Sequence, residues 1–277
     1  MRLLKQLVPA AAVAYLGSLA VFAVEGNALL TLLFGLATAA LSVLVYGWTV
    51  RWSERREPIE VGTTGAIPAT ARGVLIGVAM FAAVILNIAM LGGYRIEGLG
   101  SLGGATGLFG LMAAAAVTEE VIFRGILFRI VEERTGTWIA LTLTGLVFGL
   151  MHLGNPHANL WGVLAIAVEA GGMLAAAYAA TRTLWLPIGL HFGWNFAAVG
   201  IFSTEVSGQN SAQGLLDAAT SGPTLLTGGA FGPEGSLYAV VFGLLLTVAF
   251  MWLARRRGNV VPMRRGDRTE AAATLPR

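Results

Sequence analysis

The chain alternates between long apolar runs and short polar connections along most of its 277 residues. Eight apolar segments can be drawn, and most are close to the length of helix that crosses a bilayer, about 20 residues. They cover residues 9–24, 28–50, 73–91, 105–131, 138–153, 160–180, 184–202 and 237–254. Because a spanning helix satisfies its backbone groups internally, the pattern predicts an all-α, polytopic membrane helix bundle of about eight transmembrane helices.

Composition supports the same class of protein. Hydrophobic residues make up 56% of the chain and charged residues only 12%, which is too little polar material to cover a water-facing surface. A soluble globular domain is therefore excluded. The absence of cysteine excludes disulfides, thiolate metal sites and a cysteine nucleophile.

Basic residues fall in every second connection between the apolar segments. The basic positions on which this pattern rests include Arg2, Lys5, Arg51, Arg55, Arg56, Arg124, Arg129, Arg134, Arg182, Arg255 to Arg257, Arg264, Arg265 and Arg268. The alternate connections contain one arginine, Arg95. This asymmetry predicts cytoplasmic N- and C-termini. The expected location of the integral protein is a prokaryotic plasma membrane. The basic residues form short clusters and not a binding stripe, so no nucleic-acid partner is expected.

The segments divide the chain into five parts. Residues 1–103 are predicted to hold about three N-terminal transmembrane helices, 104–202 the core helices and 236–254 the last transmembrane helix. Residues 203–235 are predicted to form a mobile outer loop rich in Gly and Ser, with a re-entrant or substrate-gating role as the alternative. Residues 255–277 are predicted to form a basic cytoplasmic tail. The first segment has a signal peptide as its alternative interpretation, and the pattern predicts no oligomeric state.

Two carboxylates and a guanidinium interrupt the fourth apolar segment, at Glu119, Glu120 and Arg124. A charge at this depth is costly and is normally kept for function and given a partner. Glu120 and Arg124 have the four-residue spacing of a helical ion pair, while Glu119 points about 100° away. We therefore expect Arg124 to neutralise Glu120 while Glu119 faces the histidines. The alternative is a purely structural buried ion network.

Two histidines lie inside other apolar segments. Phe148 and His152 share one face of the fifth segment, and His191 and Asn195 share one face of the seventh. Counting about 1.5 Å per residue places both imidazoles near the depth of Glu119. Close-packing Gly-x-x-x-Gly pairs, Gly145 with Gly149 and Gly189 with Gly193, are expected to bring the two imidazoles within reach of one water molecule.

The ordered set Glu119-Glu120-x-x-x-Arg124, Phe148-x-x-x-His152 and His191-x-x-x-Asn195 resembles the motifs of the CAAX protease and bacteriocin-processing (CPBP) family. Eukaryotic members of this family include the Ras-converting CAAX endopeptidase. The resemblance covers residues 104–202, about a third of the chain. It implies an intramembrane endopeptidase whose active site opens to the cytoplasm. In that reading Glu119 is the catalytic glutamate, His152 and His191 lie beside it, and Asn195 is a hydrogen-bond donor.

The expected chemistry is hydrolysis of a peptide bond in a membrane-associated protein or peptide, of the CAAX or bacteriocin-processing type. A carboxylate in apolar surroundings can act as a general base near neutral pH, so Glu119 is expected to activate water without a cofactor. The alternative is a zinc metalloprotease in which Glu119, His152 and His191 hold the metal. Alternatives from another class are a transporter and a non-catalytic immunity or scaffold protein. The bilayer is the expected surrounding, and the sequence does not identify the substrate.

Overall fold

A computed structural model describes residues 1–210 and 213–263 of the chain. Its α-helices are α1 (Arg2–Phe22), α2 (Ala28–Glu54), α3 (Ala66–Met90), α4 (Leu102–Glu120), α5 (Arg129–Thr135), α6 (Thr137–Met151), α7 (Leu160–Ile166), α8 (Met173–Thr181), α9 (Trp185–Asn195), α10 (Thr224–Thr227) and α11 (Leu237–Arg256). The strands are β1 (Tyr94–Leu99) and β2 (Leu216–Thr220). Short 3-10 turns occupy Ile59–Val61, His152–Gly154, Gly229–Phe231 and Pro233–Gly235. Residues 264–277 of the predicted basic tail lie outside the described part.

Three helical rods contain π-helical turns. Val121–Phe128 joins α4 to α5, Ala167–Gly172 joins α7 to α8, and Phe196–Ile201 follows α9. A π turn widens the helix by one residue and often occurs at a functional site. Each of the three turns begins within two residues of a buried polar side chain, as described below.

The predicted fold class is confirmed, because the described helices form an all-α membrane bundle. Six of them are long and apolar enough to cross a membrane: Arg2–Phe22, Ala28–Glu54, Ala66–Met90, Thr137–Gly154, Leu160–Thr181 and Leu237–Arg256. The predicted fourth and seventh segments correspond to helical stretches at 102–135 and 185–201 that are not among the six. The count of eight therefore stays a prediction.

The basic connections gather at one end of the bundle, which we call the basic face. The face includes the start of α1, the turn between α5 and α6, the end of α8 and the end of α11. Arg2 Nη2 lies 2.6 Å from Glu133 Oε2, and Arg182 Nη1 lies 2.5 Å from Glu132 Oε2. The amide of Thr137 donates to the carbonyl of Val261 at 3.0 Å. The predicted alternation of the connections is thus present in the fold.

The other connections meet at the opposite end, which we call the loop face. Here β1 pairs with β2 in an antiparallel sheet, with Tyr94 opposite Thr220 and a bulge between Ile96 and Gly98. The hydroxyl of Tyr94 donates to the carbonyl of Phe202 at 2.8 Å, and burial raises the pKa of Tyr94 to about 12. The sheet therefore ties the start of α4 to the segment after α9.

We call residues 203–210 and 213–236 the strap. The sequence predicts a mobile outer loop here, with a re-entrant or gating role as the alternative. The structure contains β2, α10 and two 3-10 turns, and it buries Phe231. Asn155 Nδ2 donates to the carbonyl of Ser207 at 2.6 Å, and Trp161 Nε1 donates to the carbonyl of Gly235 at 2.7 Å. The strap therefore packs over the loop-face ends of α6 and α7.

Glycines allow close helix packing, but the helices that they bring together are not the predicted pair, α6 and α9. An ideal Cβ at Gly189 would lie 2.1 Å from the carbonyl oxygen of Thr70, so this face of α9 packs on α3. The corresponding face of α6 packs on the rod of α7 and α8, where Gly149 meets the backbone of Val163. The prediction that these glycines bring α6 and α9 together is wrong, because each pair serves a different neighbour. The rod of α7 and α8 is the most buried span, and its residues from Leu174 to Ala180 are at most 2% exposed.

Candidate active site

The predicted ion pair between Glu120 and Arg124 is present. Arg124 Nη1 donates to Glu120 Oε1 at 2.7 Å, and the two side chains are 2% and 0% exposed. Glu120 ends α4, and Arg124 follows in the π turn Val121–Phe128. Each charge of this buried pair needs the other, because a single uncompensated charge would be strongly unfavourable in an apolar setting.

Arg124 also binds the backbone of a second π turn. Its Nη2 donates to the carbonyls of Ala170 and Gly171 at 3.0 and 3.2 Å. The π turn loosens the regular helical hydrogen-bond pattern and leaves these carbonyls available. The guanidinium also lies 4.6 Å from the centre of the Phe148 ring, which is within the range of a cation–π contact. Sequence reasoning missed the two carbonyls, since a backbone acceptor has no residue signature.

His191 lies between the two glutamates. Its Nδ1 is 2.9 Å from Glu120 Oε1, and its Nε2 is 3.9 Å from Glu119 Oε2. The expectation that Glu119 alone faces the histidines therefore needs correction, because the hydrogen-bonded partner of His191 is Glu120. The side chain of Glu119 is 33% exposed, whereas that of Glu120 is fully buried. Glu119 is thus the carboxylate that water can reach.

His152 packs against Phe148, whose ring also lies near His191. Its Nδ1 lies 2.8 Å from the carbonyl oxygen of Phe148, one turn earlier, which leaves Nε2 on the outer side of the ring. The Phe148 ring is 5.1 Å from the His152 ring and 6.0 Å from the His191 ring, measured between centroids. Asn195 follows His191 by one turn of α9 and is 9% exposed. Glu119, Glu120, Arg124 and His191 therefore lie together. His152 is linked to them through the Phe148 ring, and Asn195 lies one turn beyond His191 on α9.

The metal alternative requires three ligands that converge. Zinc takes histidine nitrogens and carboxylate oxygens at about 2.0–2.2 Å. Within residues 1–210 and 213–263, no three His, Cys, Asp or Glu side chains lie close enough together to hold a metal ion. The approach of Glu119 to His191 would suit two ligands, but His152 Nδ1 is directed at a backbone carbonyl. As placed, the three predicted ligands do not form a zinc site.

The strap contacts α9 next to the candidate site in the chain. Trp194, which separates His191 from Asn195 along the chain, donates from Nε1 to Glu234 Oε1 at 2.7 Å. The sequence interpretation assigned no role to Trp194 or Glu234. It also passed over Glu169, a lone carboxylate in the sixth apolar segment, although a charge inside such a segment is itself a signal of function.

Known proteins resemble the part of the chain that holds the candidate site. The family model described as "Type II CAAX prenyl endopeptidase Rce1-like" matches residues 101–197, a range that contains all six predicted site residues. Putative membrane peptidase YdiL of Bacillus subtilis (strain 168) is 29% identical over 115 residues, which are 42% of each chain. The chain thus spans about two fifths of the length of the curated relative it matches. No solved structure matches it. The resemblance predicted from the motifs is confirmed: residues 101–197 are similar to the Rce1-like family of CAAX prenyl endopeptidases.

Proposed function

We propose that the chain is an intramembrane endopeptidase that hydrolyses a peptide bond of a membrane-associated protein or peptide, using water activated by Glu119. The observation that carries this proposal is the contrast between two adjacent carboxylates. Glu120 is fully buried and bound to Arg124 and His191, whereas Glu119 is one third exposed and lies 3.9 Å from His191 Nε2. Only Glu119 combines access to water with a neighbouring imidazole.

The chemistry follows from these positions. Glu119 takes a proton from the water that attacks the scissile carbonyl carbon. Glu120 accepts from His191 Nδ1, which orients the ring and favours its imidazolium form, so that His191 Nε2–H can donate to the oxyanion. Asn195 is the second oxyanion donor, and His152 protonates the leaving amine. Glu120 and Arg124 are positioning residues in this scheme, because they act through His191 and the helix backbone.

The family name supplies the substrate class that we propose. A CAAX-type protein or a processed peptide, presented from the plasma membrane, would reach Glu119 from the bilayer. The zinc alternative finds only the approach of Glu119 to His191 in its favour, because the three predicted ligands do not converge among the described residues. No step in the proposed scheme uses zinc.

The test compares cells that carry the wild-type chain, Glu119→Gln or the control Glu97→Gln. Glu97 is an exposed residue of β1 on the loop face and is not one of the predicted site residues. Mapping new protein ends in the membrane proteome should show cleavages with wild type and Glu97→Gln that vanish with Glu119→Gln. The three purified proteins should unfold at similar temperatures. Retained cleavage in Glu119→Gln would place the base elsewhere and overturn the proposal.

A further inference from the structure

Lys5 of α1 places its ammonium group over a tryptophan of α2 at the basic face. Its Nζ lies 4.9 Å from the centre of the Trp52 ring, which is within the range of a cation–π contact. Both side chains are exposed. Because the contact joins two helices, the fold itself brings this cation and this ring together.

A similar contact on α11 is a weaker signal. Arg256 Cζ lies 4.6 Å from the centre of the Trp252 ring. These two residues are four apart on one helix, a spacing that makes side chains neighbours on any helix. The Lys5 contact cannot arise in that way, since its partner belongs to another helix.

Trp48 and Trp52 form an aromatic platform beside Lys5. Their rings stack with centroids 5.7 Å apart and planes 6° apart, and the two residues are 58% and 53% exposed. Leu44, one turn before Trp48 on the same face of α2, is 69% exposed. Tryptophan is enriched where the hydrocarbon core of a bilayer meets the lipid headgroups. The stripe from Leu44 to Trp52 therefore fits a surface that faces acyl chains at one end and headgroups at the other.

The carboxylates near the end of α2 are bound to other cations. Glu54 Oε1 lies 2.7 Å from Arg129 Nη2, and Glu54 Oε2 lies 2.6 Å from Arg56 Nε. Glu60 Oε1 lies 2.8 Å from Arg56 Nη2. Within the described residues, the Lys5 ammonium group has no carboxylate partner. A counterion for Lys5 is thus expected from its surroundings.

We propose that Lys5, Trp48 and Trp52 bind one anionic phospholipid at the basic face. The lipid phosphate accepts a hydrogen bond from Lys5 Nζ, the glycerol region packs on the two indole rings, and an acyl chain runs along Leu44. The negative charge complements the ammonium group. The apolar stripe selects a lipid over a free phosphate, which has no chain to bury. The proposal depends neither on the proposed protease activity nor on the orientation of the chain in the membrane.

The test uses the full chain in a neutral detergent, with native mass spectrometry to measure lipid binding. Wild type should bind one molecule of phosphatidylglycerol more tightly than phosphatidylcholine, whose headgroup carries no net charge. Lys5→Gln should weaken the binding of phosphatidylglycerol about fivefold, whereas Lys5→Arg should retain it. The matched control is Arg134→Gln, which should bind like wild type. Arg134 is exposed on the same face and contacts no aromatic ring among the described residues.

A second pair of variants tests the aromatic platform. Trp52→Leu should weaken binding as Lys5→Gln does, whereas Trp138→Leu, at an exposed tryptophan near the start of α6, should not. Glycerol 3-phosphate should not compete with phosphatidylglycerol, because it has no acyl chain.

Three results would overturn the proposal. Equal weakening by Lys5→Gln and Arg134→Gln would show a diffuse attraction to the basic face. Competition by glycerol 3-phosphate would show a site for phosphate alone. Equal affinity for the two lipids would show that the charge of the headgroup is not recognised.

Discussion

Neighbouring glutamates can differ completely in what they do, and Glu119 and Glu120 illustrate why. Adjacent residues on a helix point about 100° apart. Here that angle places Glu120 among Arg124 and His191 and leaves Glu119 partly open. At the scale of single residues, surroundings decide which carboxylate supports the structure and which can meet water.

The first prediction concerns the stability of these two positions. Glu120→Gln should lower the free energy of unfolding by about 3–5 kcal/mol, the cost of breaking a buried ion pair by removing one partner. Glu119→Gln should change it little, because the side chain is 33% exposed and its contact with His191 is long, at 3.9 Å. Thermal unfolding of the two purified variants in one detergent measures the difference. A larger loss at position 119 would reverse the assigned roles.

The second prediction concerns metal. Wild-type protein stripped with a chelator should keep most of its cleavage activity, because Glu119 can activate water alone. Elemental analysis and activity assays before and after stripping provide the measurement. The zinc alternative makes a different set of predictions: about one zinc per chain, activity restored by added zinc, and metal lost from His152→Ala and His191→Ala.

At the scale of elements, α9 holds its place through glycines. An ideal Cβ at Gly193 would lie 2.4 Å from the carbonyl oxygen of Val74, and Gly77 meets the carbonyl of Leu190 from the other side. The backbones of α3 and α9 therefore touch along their length. This glycine-lined contact between α3 and α9, which we call the seam, holds α9 and with it His191 in place.

The third prediction tests the seam. Gly193→Ala should push α9 away from α3, since backbone atoms cannot yield as a flexible side chain can. Both the unfolding temperature and the cleavage rate should fall. Gly154→Ala is the matched control, because its new Cβ would have nothing within 4 Å although it lies close to His152. Equal activity and stability in the two variants would contradict this account of the packing.

Sequence patterns predicted part of this arrangement and failed where distant segments meet. The apolar runs predicted the helices, and the four-residue spacing predicted the pair of Glu120 and Arg124. The pairing of β1 with β2 could not be predicted, because each strand is short and the partners are more than 100 residues apart. The hydrogen bond between His191 and Glu120 could not be predicted either, because it depends on how α9 packs against α3.

At the scale of the whole molecule, the helices are tied together at both ends. On the basic face, Arg129 Nη2 lies 2.7 Å from Glu54 Oε1 and donates to Gln6 Oε1 at 2.9 Å, which joins α1, α2 and α5. On the loop face, the strap joins α6, α7, α9 and α11. This separation of basic and non-basic connections suits a protein with one fixed orientation in the membrane.

The fourth prediction is that orientation. The chain has no cysteine, so Thr64→Cys on the basic face and Thr220→Cys on the loop face each introduce a single thiol at an exposed position. If the termini are cytoplasmic, an impermeant maleimide on intact cells should label only position 220. Labelling of position 64 alone would reverse the predicted orientation.

The same labelling bears on the candidate site. His152 lies at the loop-face end of α6, close to Asn155, which bonds to the strap. If position 220 is labelled, the loop face and His152 lie on the outer side of the membrane. The family resemblance instead implies a site that opens to the cytoplasm. If only position 64 is labelled, the loop face and His152 lie on the cytoplasmic side, as the family resemblance implies.

The π turns have a consequence for chain length. Each one accommodates an extra residue that an α-helix would not hold, and within the described residues the three turns lie beside Glu120, around Glu169 and directly after Asn195. Removing one residue inside such a turn would restore ordinary helix and leave the side chains beyond the turn on the same face. A single-residue gap in the alignment of a relative at these places would therefore mark a helix that has lost its π turn but presents the same set of side chains towards the site.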